Sequence, residues 1–283
     1  MNDTSEALTL TFLRRSRSKA GRNVRVASLA SSLIAAGIVL RAAIATEIPT
    51  AERRSGYTFM APETKAMQDD DTSNPGMLGV LDGEALWNRK TGAAAKSCAD
   101  CHNDAKSSMK GVAARYPAYD KALGRPVNLE QRINLCRVRH QEAEPLPYEK
   151  HDLLALTDYV GEQSRGMPIT PDASAEIQPF LAKGRELFMH RQGQLNLACS
   201  NCHDDNWDRH LAGSAVTQGM PNGYPIYRLE WQSLGSLQRR LRNCVTGTRA
   251  QNYDLGSPEL VELELYLMSR ARGMPVETPA VRP

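Results

Sequence analysis

The chain is poor in aromatic side chains, which make up 6% of its 283 residues with only four Phe and three Trp, so rings alone cannot build its core. No run shows the sustained apolar/polar alternation of a half-buried strand, which excludes a large sheet or barrel as the main architecture. A membrane span needs about 20 apolar residues. The uncharged stretch from Val26 to Leu40 offers fifteen, several of them Ser, Ala and Gly.

Excess charge of one sign is missing as well. A basic region (Arg14, Arg15, Arg17, Lys19, Arg22, Arg25), the uncharged stretch and small residues ending in Ala43-Ile44-Ala45 have the layout of a cleavable secretory signal over residues 1–45. An uncleaved anchor is the alternative, and the short apolar stretch argues against it. Removing residues 1–45 takes away seven of the 35 basic and two of the 32 acidic side chains, leaving 28 against 30. The apparent basicity therefore belongs to the export signal and gives no support for nucleic-acid binding. A periplasmic protein without a stable membrane anchor is expected.

What is present is six cysteines, a number that an exported chain would ordinarily use for three disulfides. Their spacing says otherwise. Cys98-Ala99-Asp100-Cys101-His102 and Cys199-Ser200-Asn201-Cys202-His203 are both C-x-x-C-H, the attachment sequence of c-type haem. In each, the two thiols form thioethers and the histidine is the proximal iron ligand, so Cys98, Cys101, Cys199 and Cys202 would bind two haem groups, with His102 and His203 on the irons. A zinc site would need further Cys or His pairs at finger-like spacing. His140, His151, His190 and His210 do not supply them.

The surroundings repeat too. Gly83-Glu84-Ala85-Leu86-Trp87 and Gly184-Arg185-Glu186-Leu187-Phe188 share the 101-residue offset of the haem motifs. LEQRINLC (129–136) matches LQRRLRNC (237–244) at an offset of 108, and RGMPI (165–169) matches RGMPV (272–276) at 107. Leu153, Leu154, Leu156, Tyr159 and Val160, and likewise Leu260, Leu263, Tyr266 and Leu267, recur at helical spacing ahead of each Arg-Gly-Met-Pro. The predicted fold is mainly α: two tandem class I cytochrome c-like domains related by an internal repeat, over 46–172 and 173–283. An irregular segment precedes them, and a short linker near Pro171 to Ala175 joins them.

Each haem needs a sixth ligand or an open position, and each repeat offers a methionine (Met167, Met274) and a cysteine (Cys136, Cys244). In small cytochrome c folds the distal ligand comes from the segment between the haem motif and the last helix. Cys136 and Cys244 occupy that segment, whereas Met167 and Met274 follow the last helix. A Cys136–Cys244 disulfide is the other possibility, but it would join equivalent points that each lie over their own haem. Position therefore favours two His/Cys-ligated haems.

With these motifs, SGYTFMAPETKAMQDDDTSNPGML (55–78) and both Arg-Gly-Met-Pro endings, the chain resembles the SoxA family over essentially its whole mature length. SoxA proteins are the dihaem subunits of SoxAX cytochromes, L-cysteine S-thiosulfotransferases of sulfur-oxidising bacteria. The resemblance implies His/Cys ligation of both haems, with Cys136 on the first and Cys244 on the second. It implies a catalytic Cys244 able to carry a persulfide, and a substrate-binding arginine four residues earlier, Arg240. It also implies a monohaem SoxX partner, a SoxYZ carrier and thiosulfate as substrate. The reaction joins thiosulfate oxidatively to a carrier cysteine as an S-thiosulfonate.

The residues agree with that assignment. Arg240 lies one helical turn before Cys244 and shares its face, whereas Arg239 and Arg242 point elsewhere, to solvent or to haem propionates. Arg249, beyond Gly247, is a further candidate for the anion. Arg132 matches Arg240 in the first repeat, so spacing alone leaves either site able to react. The competing class is a dihaem electron carrier with no substrate.

Overall fold

The computed structural model describes residues 48–283, so the export signal predicted for 1–45 lies outside the described residues. Among them no helix is long and apolar enough to cross a membrane. The first α-helix among the described residues is α1 (Pro62–Asp69). The first repeat then runs α2 (Gly76–Asn88), α3 (Ala99–His102), α4 (Ala105–Ser108), the hairpin β1 (Ala118–Asp120) and β2 (Arg125–Val127), α5 (Leu129–Cys136) and α6 (His151–Glu162). The second runs α7 (Gln178–Met189), α8 (Cys199–His203), β3 (His210–Leu211), β4 (Ser214–Ala215), β5 (Ile226–Arg228), β6 (Ser233–Gly235), α9 (Leu237–Gly247) and α10 (Pro258–Arg270), and β7 (Ala280–Arg282) ends the chain.

In each repeat the first helix packs on the last, α2 on α6 and α7 on α10. Both crossings are made at a glycine of the repeated pattern. A Cβ on Gly83 would overlap the carbonyl oxygen of Ala155, and one on Gly184 that of Glu262. Four residues on, Trp87 meets Tyr159 edge-on at 5.9 Å and Phe188 meets Tyr266 at 5.3 Å. One pair of rings thus packs at each crossing. The leucines, tyrosines and valine that recur at helical spacing in α6 and α10 are all buried.

The strands are two or three residues long, too short for alternation to show in sequence. β5 lies between β6 (antiparallel) and β7 (parallel), so the C-terminus closes a small sheet on the second repeat. The segment before α1 also reaches that repeat: Gln218 accepts from Arg54 N at 2.6 Å and donates to Glu52 O at 2.9 Å.

The two Arg-Gly-Met-Pro endings pair with each other. Gly166 N donates to Val276 O (2.8 Å), Val276 N to Met167 O (2.9 Å), Ile169 N to Met274 O (2.9 Å) and Gly273 N to Ile169 O (2.9 Å). Gly166 (φ +76°) and Gly273 (φ +83°) hold the left-handed backbone this clasp requires. Beside it the two N-capped helices α5 and α9 share a buried polar network. Asn128 donates to Glu264 at 3.4 Å, Glu149 accepts from Ser236 N at 3.3 Å, and Gln238 accepts from Gly256 N at 2.7 Å. Burial pushes the Glu130 carboxyl up to about 7, and burial with the nearby Glu130 charge pushes Glu264 well up.

Substituting Gly184→Ala should cost about 1–3 kcal/mol, because the added methyl must push the crossing backbones apart; thermal unfolding of the variant measures it, and an unchanged midpoint would refute the crossing argument. Folded Glu130 keeps its proton between about pH 4.5 and 7, where the unfolded chain loses it, so its contribution is full at low pH and fades as pH rises through that window, and Glu264 acts in the same direction. Glu264→Gln should flatten that slope in denaturant unfolding followed across the window, by at most about 1.4 kcal/mol per pH unit.

Candidate haem and thiol site

Each C-x-x-C-H motif forms a single helical turn, α3 or α8, facing the later cysteine of its own repeat. In the second repeat the Cys244 thiol interacts with the His203 ring and with the Cys199 and Cys202 thiols. In the first, Cys136 interacts with Cys98 and Cys101. No disulfide joins any of the six cysteines. The predicted sets Cys98, Cys101, Cys136 and Cys199, Cys202, His203, Cys244 are therefore brought together. His102 is exposed, with its ring 5.8 Å from that of Trp87. Met167 and Met274 lie in the clasp between repeats, not in the segments beside the thiols.

These residues fit haem c. The His203 Nδ1 is 2.7 Å from the carbonyl oxygen of Thr217, the second contact that fixes a ligating imidazole and leaves Nε2 for iron. Gly219 (φ +69°) passes so near this ring that a Cβ there would sit 3.1 Å from His203 Nδ1. Apolar side chains flank the thiols, Met109 and Ile133 in the first repeat, Leu187 and Leu241 in the second. Arg242 Nε is buried without a hydrogen-bond partner among the described residues, as suits a guanidinium meant for an anion such as a propionate. A buried ion pair braces the second turn: Arg270 Nη2 lies 2.6 Å from the carboxylate of Asp204, next to His203.

The surroundings of the two later cysteines differ sharply. Burial raises the Cys136 thiol above its ordinary range, and the Arg132 and Arg139 charges do not reverse it. At Cys244 burial acts in the same direction and is the largest single effect. The His203 hydrogen bond and the charges of Arg240, His203 and Arg228 together outweigh it, so this thiol is held below its ordinary range.

The cause lies in the arginine one turn earlier. Arg132 is occupied: its Nη2 is 2.7 Å from the buried carboxylate of Asp120, and its Nε donates to Tyr116 at 3.2 Å. The Arg240 side chain makes no hydrogen bond or ion pair among the described residues, and its charge acts on Cys244, Tyr224 and Arg228. Arg239 is drawn away onto Trp231, 4.1 Å from the ring centroid. Arg249 is exposed, with left-handed backbone (φ +57°), and lines a pocket of about 660 Å³ with Gln192, Gly193, Gln194 and Ala250 to Tyr253. Its charge is not among the strongest acting on Cys244. Arg228 is, and sequence spacing alone does not single it out. Carrying the 108-residue offset upstream through the Tyr-Pro pairs at 116–117 and 224–225 would have aligned it with Asp120.

A family model described as SoxA/TsdA, cytochrome c domain, matches residues 82–169 and 183–276. Over 246 residues the chain is 43% identical to the L-cysteine S-thiosulfotransferase subunit SoxA of Pseudaminobacter salicylatoxidans, covering 87% of this chain and 86% of the relative. The chain belongs to the SoxA family. The SoxA subunit from Rhodovulum sulfidophilum is 39% identical over 82% of this chain and 80% of its own length. The crystal structure of SoxXA from P. pantotrophus superposes with a TM-score of 0.79 at 33% identity, covering 82% of this chain and 87% of that one. The SoxA architecture of two cytochrome c domains, and with it haem c binding, is thereby established for this chain.

The Arg132–Asp120 pair should contribute to stability in the manner of a charged hydrogen bond. Asp120→Ala should cost about 1–3 kcal/mol. Burial works against ionisation of Asp120, but Leu123 N, Arg132 and Ala122 N together hold its carboxyl below the usual range. Its contribution is therefore present above about pH 4 and lost as pH falls further. Acid unfolding of the variant should start from a lower plateau with a shallower acid limb; a limb as steep as that of the parent would count against the pair.

Proposed function

We propose that this SoxA chain is the periplasmic dihaem subunit of an L-cysteine S-thiosulfotransferase, with haem domains over 46–172 and 173–283 and the second one catalytic. Its partners are a monohaem SoxX subunit and the SoxYZ carrier. The names of its relatives support the activity. One observation carries the choice of site: Arg240 stands free beside Cys244, while its counterpart Arg132 is closed by Asp120.

Haem c held by Cys98, Cys101, His102 and Cys136, and by Cys199, Cys202, His203 and Cys244, would supply the one-electron acceptors that the oxidation needs. The chain's own residues do the rest. Arg240 offers a planar, permanently charged donor to the sulfonate of thiosulfate, with the terminal sulfur directed at Cys244 one turn on. The Arg240 charge favours the anionic, nucleophilic form of the Cys244 sulfur.

The Cys244 thiolate and thiosulfate lose two electrons and form one S–S bond, giving a Cys244 S-thiosulfonate. The carrier thiolate then attacks the sulfur bearing the sulfonate, breaks its bond to Cys244 and leaves with the thiosulfonate, restoring the Cys244 thiolate. With a persulfide at Cys244 the outer sulfur takes the same role.

Cys244→Ser in the assembled complex should abolish thiosulfonate formation on the carrier, whereas Cys136→Ser should leave much of it, both read by intact mass of the carrier. The reverse ranking would overturn the assignment. Intact mass of the mature chain should show two covalent haems, and any extra sulfur, about 32 Da, on the peptide holding Cys244.

A further inference from the structure

The two halves of the molecule differ in one charge that the SoxA reading does not use. β1 and β5 are the same strand of the repeat: each follows a Tyr-Pro pair, precedes a capped helix, and lies 108 residues from its counterpart. Asp120 pairs with Arg125 across the first hairpin in the register that places Arg228 against Ser233 in the second. A carboxylate in one repeat is thus replaced by a guanidinium in the other, at the position facing the arginine that precedes the later cysteine.

In the first repeat the two charges cancel, Asp120 to Arg132 at 2.7 Å. In the second, the strand position that holds Asp120 holds Arg228 in the same register, so a second guanidinium stands where the first repeat has a carboxylate; burial and then the Arg240 charge hold the Arg228 pKa below its ordinary value. The carboxylate near them, Glu230, lies 2.8 Å from Arg228 Nε and is itself mostly exposed, so it balances one of the two cations. Trp231 backs Arg228 at 5.3 Å from its ring centroid and keeps the side chain in place. Holding two guanidiniums together costs free energy unless an anion joins them. A dianion suits two fixed cations better than a monoanion does.

We propose that Arg228 is the second guanidinium of a thiosulfate site at Cys244, and that Asp120 in the same place shuts the first repeat to anions. The proposal rests on the reading of Cys244 and Arg240 as the reacting pair. In it Arg228 and Arg240 hold the sulfonate between them, and the asymmetry between the repeats is electrostatic before it is catalytic.

The test is steady-state turnover of the assembled, haem-loaded complex with thiosulfate varied at saturating carrier. Arg228→Gln should raise the KM for thiosulfate roughly tenfold to a hundredfold, the range of one charged hydrogen bond, while kcat changes far less. Covalent haem content and the visible spectrum should match the parent. Arg228→Lys, which keeps the charge, should recover some of the loss. Arg228→Asp should bind thiosulfate more weakly than Arg228→Gln, because its carboxylate would close on Arg240 as Asp120 closes on Arg132.

A KM for Arg228→Gln within twofold of the parent overturns the proposal, as does an Arg228→Asp variant no worse than Arg228→Gln. If Cys244→Ser is inactive while Arg228→Gln keeps its KM, this inference alone falls. If Cys244→Ser still turns over, the underlying reading of the site falls with it.

Discussion

Each half of the molecule depends on one close approach, the crossing of its first helix over its last with a glycine at the point of contact. At Gly83 and Gly184 the space a Cβ would need is taken by a carbonyl oxygen of the partner helix. Backbone contact at the centre sends the remaining elements to the perimeter, where the C-x-x-C-H turn and the helix bearing the later cysteine face each other. The aromatic ring four residues after each glycine locks the crossing, which is how a chain with so few rings builds two cores. The site geometry is therefore inherited from a contact that contains no functional residue.

Duplication then produced two similar sites with different chemistry. The thiol, the imidazole and the preceding arginine recur, so these groups cannot account for the difference. Neighbouring charge can: a carboxylate neutralises one arginine, and a guanidinium crowds the other. The same scaffold yields one cysteine whose pKa burial raises and another whose pKa its surroundings lower. Such a division needs no change in backbone, since the strands carrying Asp120 and Arg228 keep the same register.

Much of this was legible in the residues themselves. The C-x-x-C-H motifs and the offsets of 101 and 108 residues show a duplicated domain because covalent attachment and helix crossing both demand fixed residue types at fixed spacing. The buried faces of α6 and α10 follow from helical periodicity, and Arg240 from the length of one turn. Short strands escaped notice because three residues carry no period. Arg228 escaped because its link to Cys244 runs through a hairpin, where sequence distance says nothing about spatial distance. Arg249 was a candidate from its place just beyond Gly247. The left-handed backbone after α9 instead leaves it exposed beside the turn at Gly193, and its carbonyl accepts from Gln194 N at 3.3 Å.

The clasp of the two Arg-Gly-Met-Pro endings bears on how such proteins can evolve. Backbone groups of each ending are satisfied by the other, and Asn128 of one half reaches Glu264 of the other. A genetic exchange that imported a foreign half would have to bring a matching turn, a matching cap and a tolerable number of buried carboxylates. The seam ties the two halves together, so replacing one half by another would strip the remaining half of its partners.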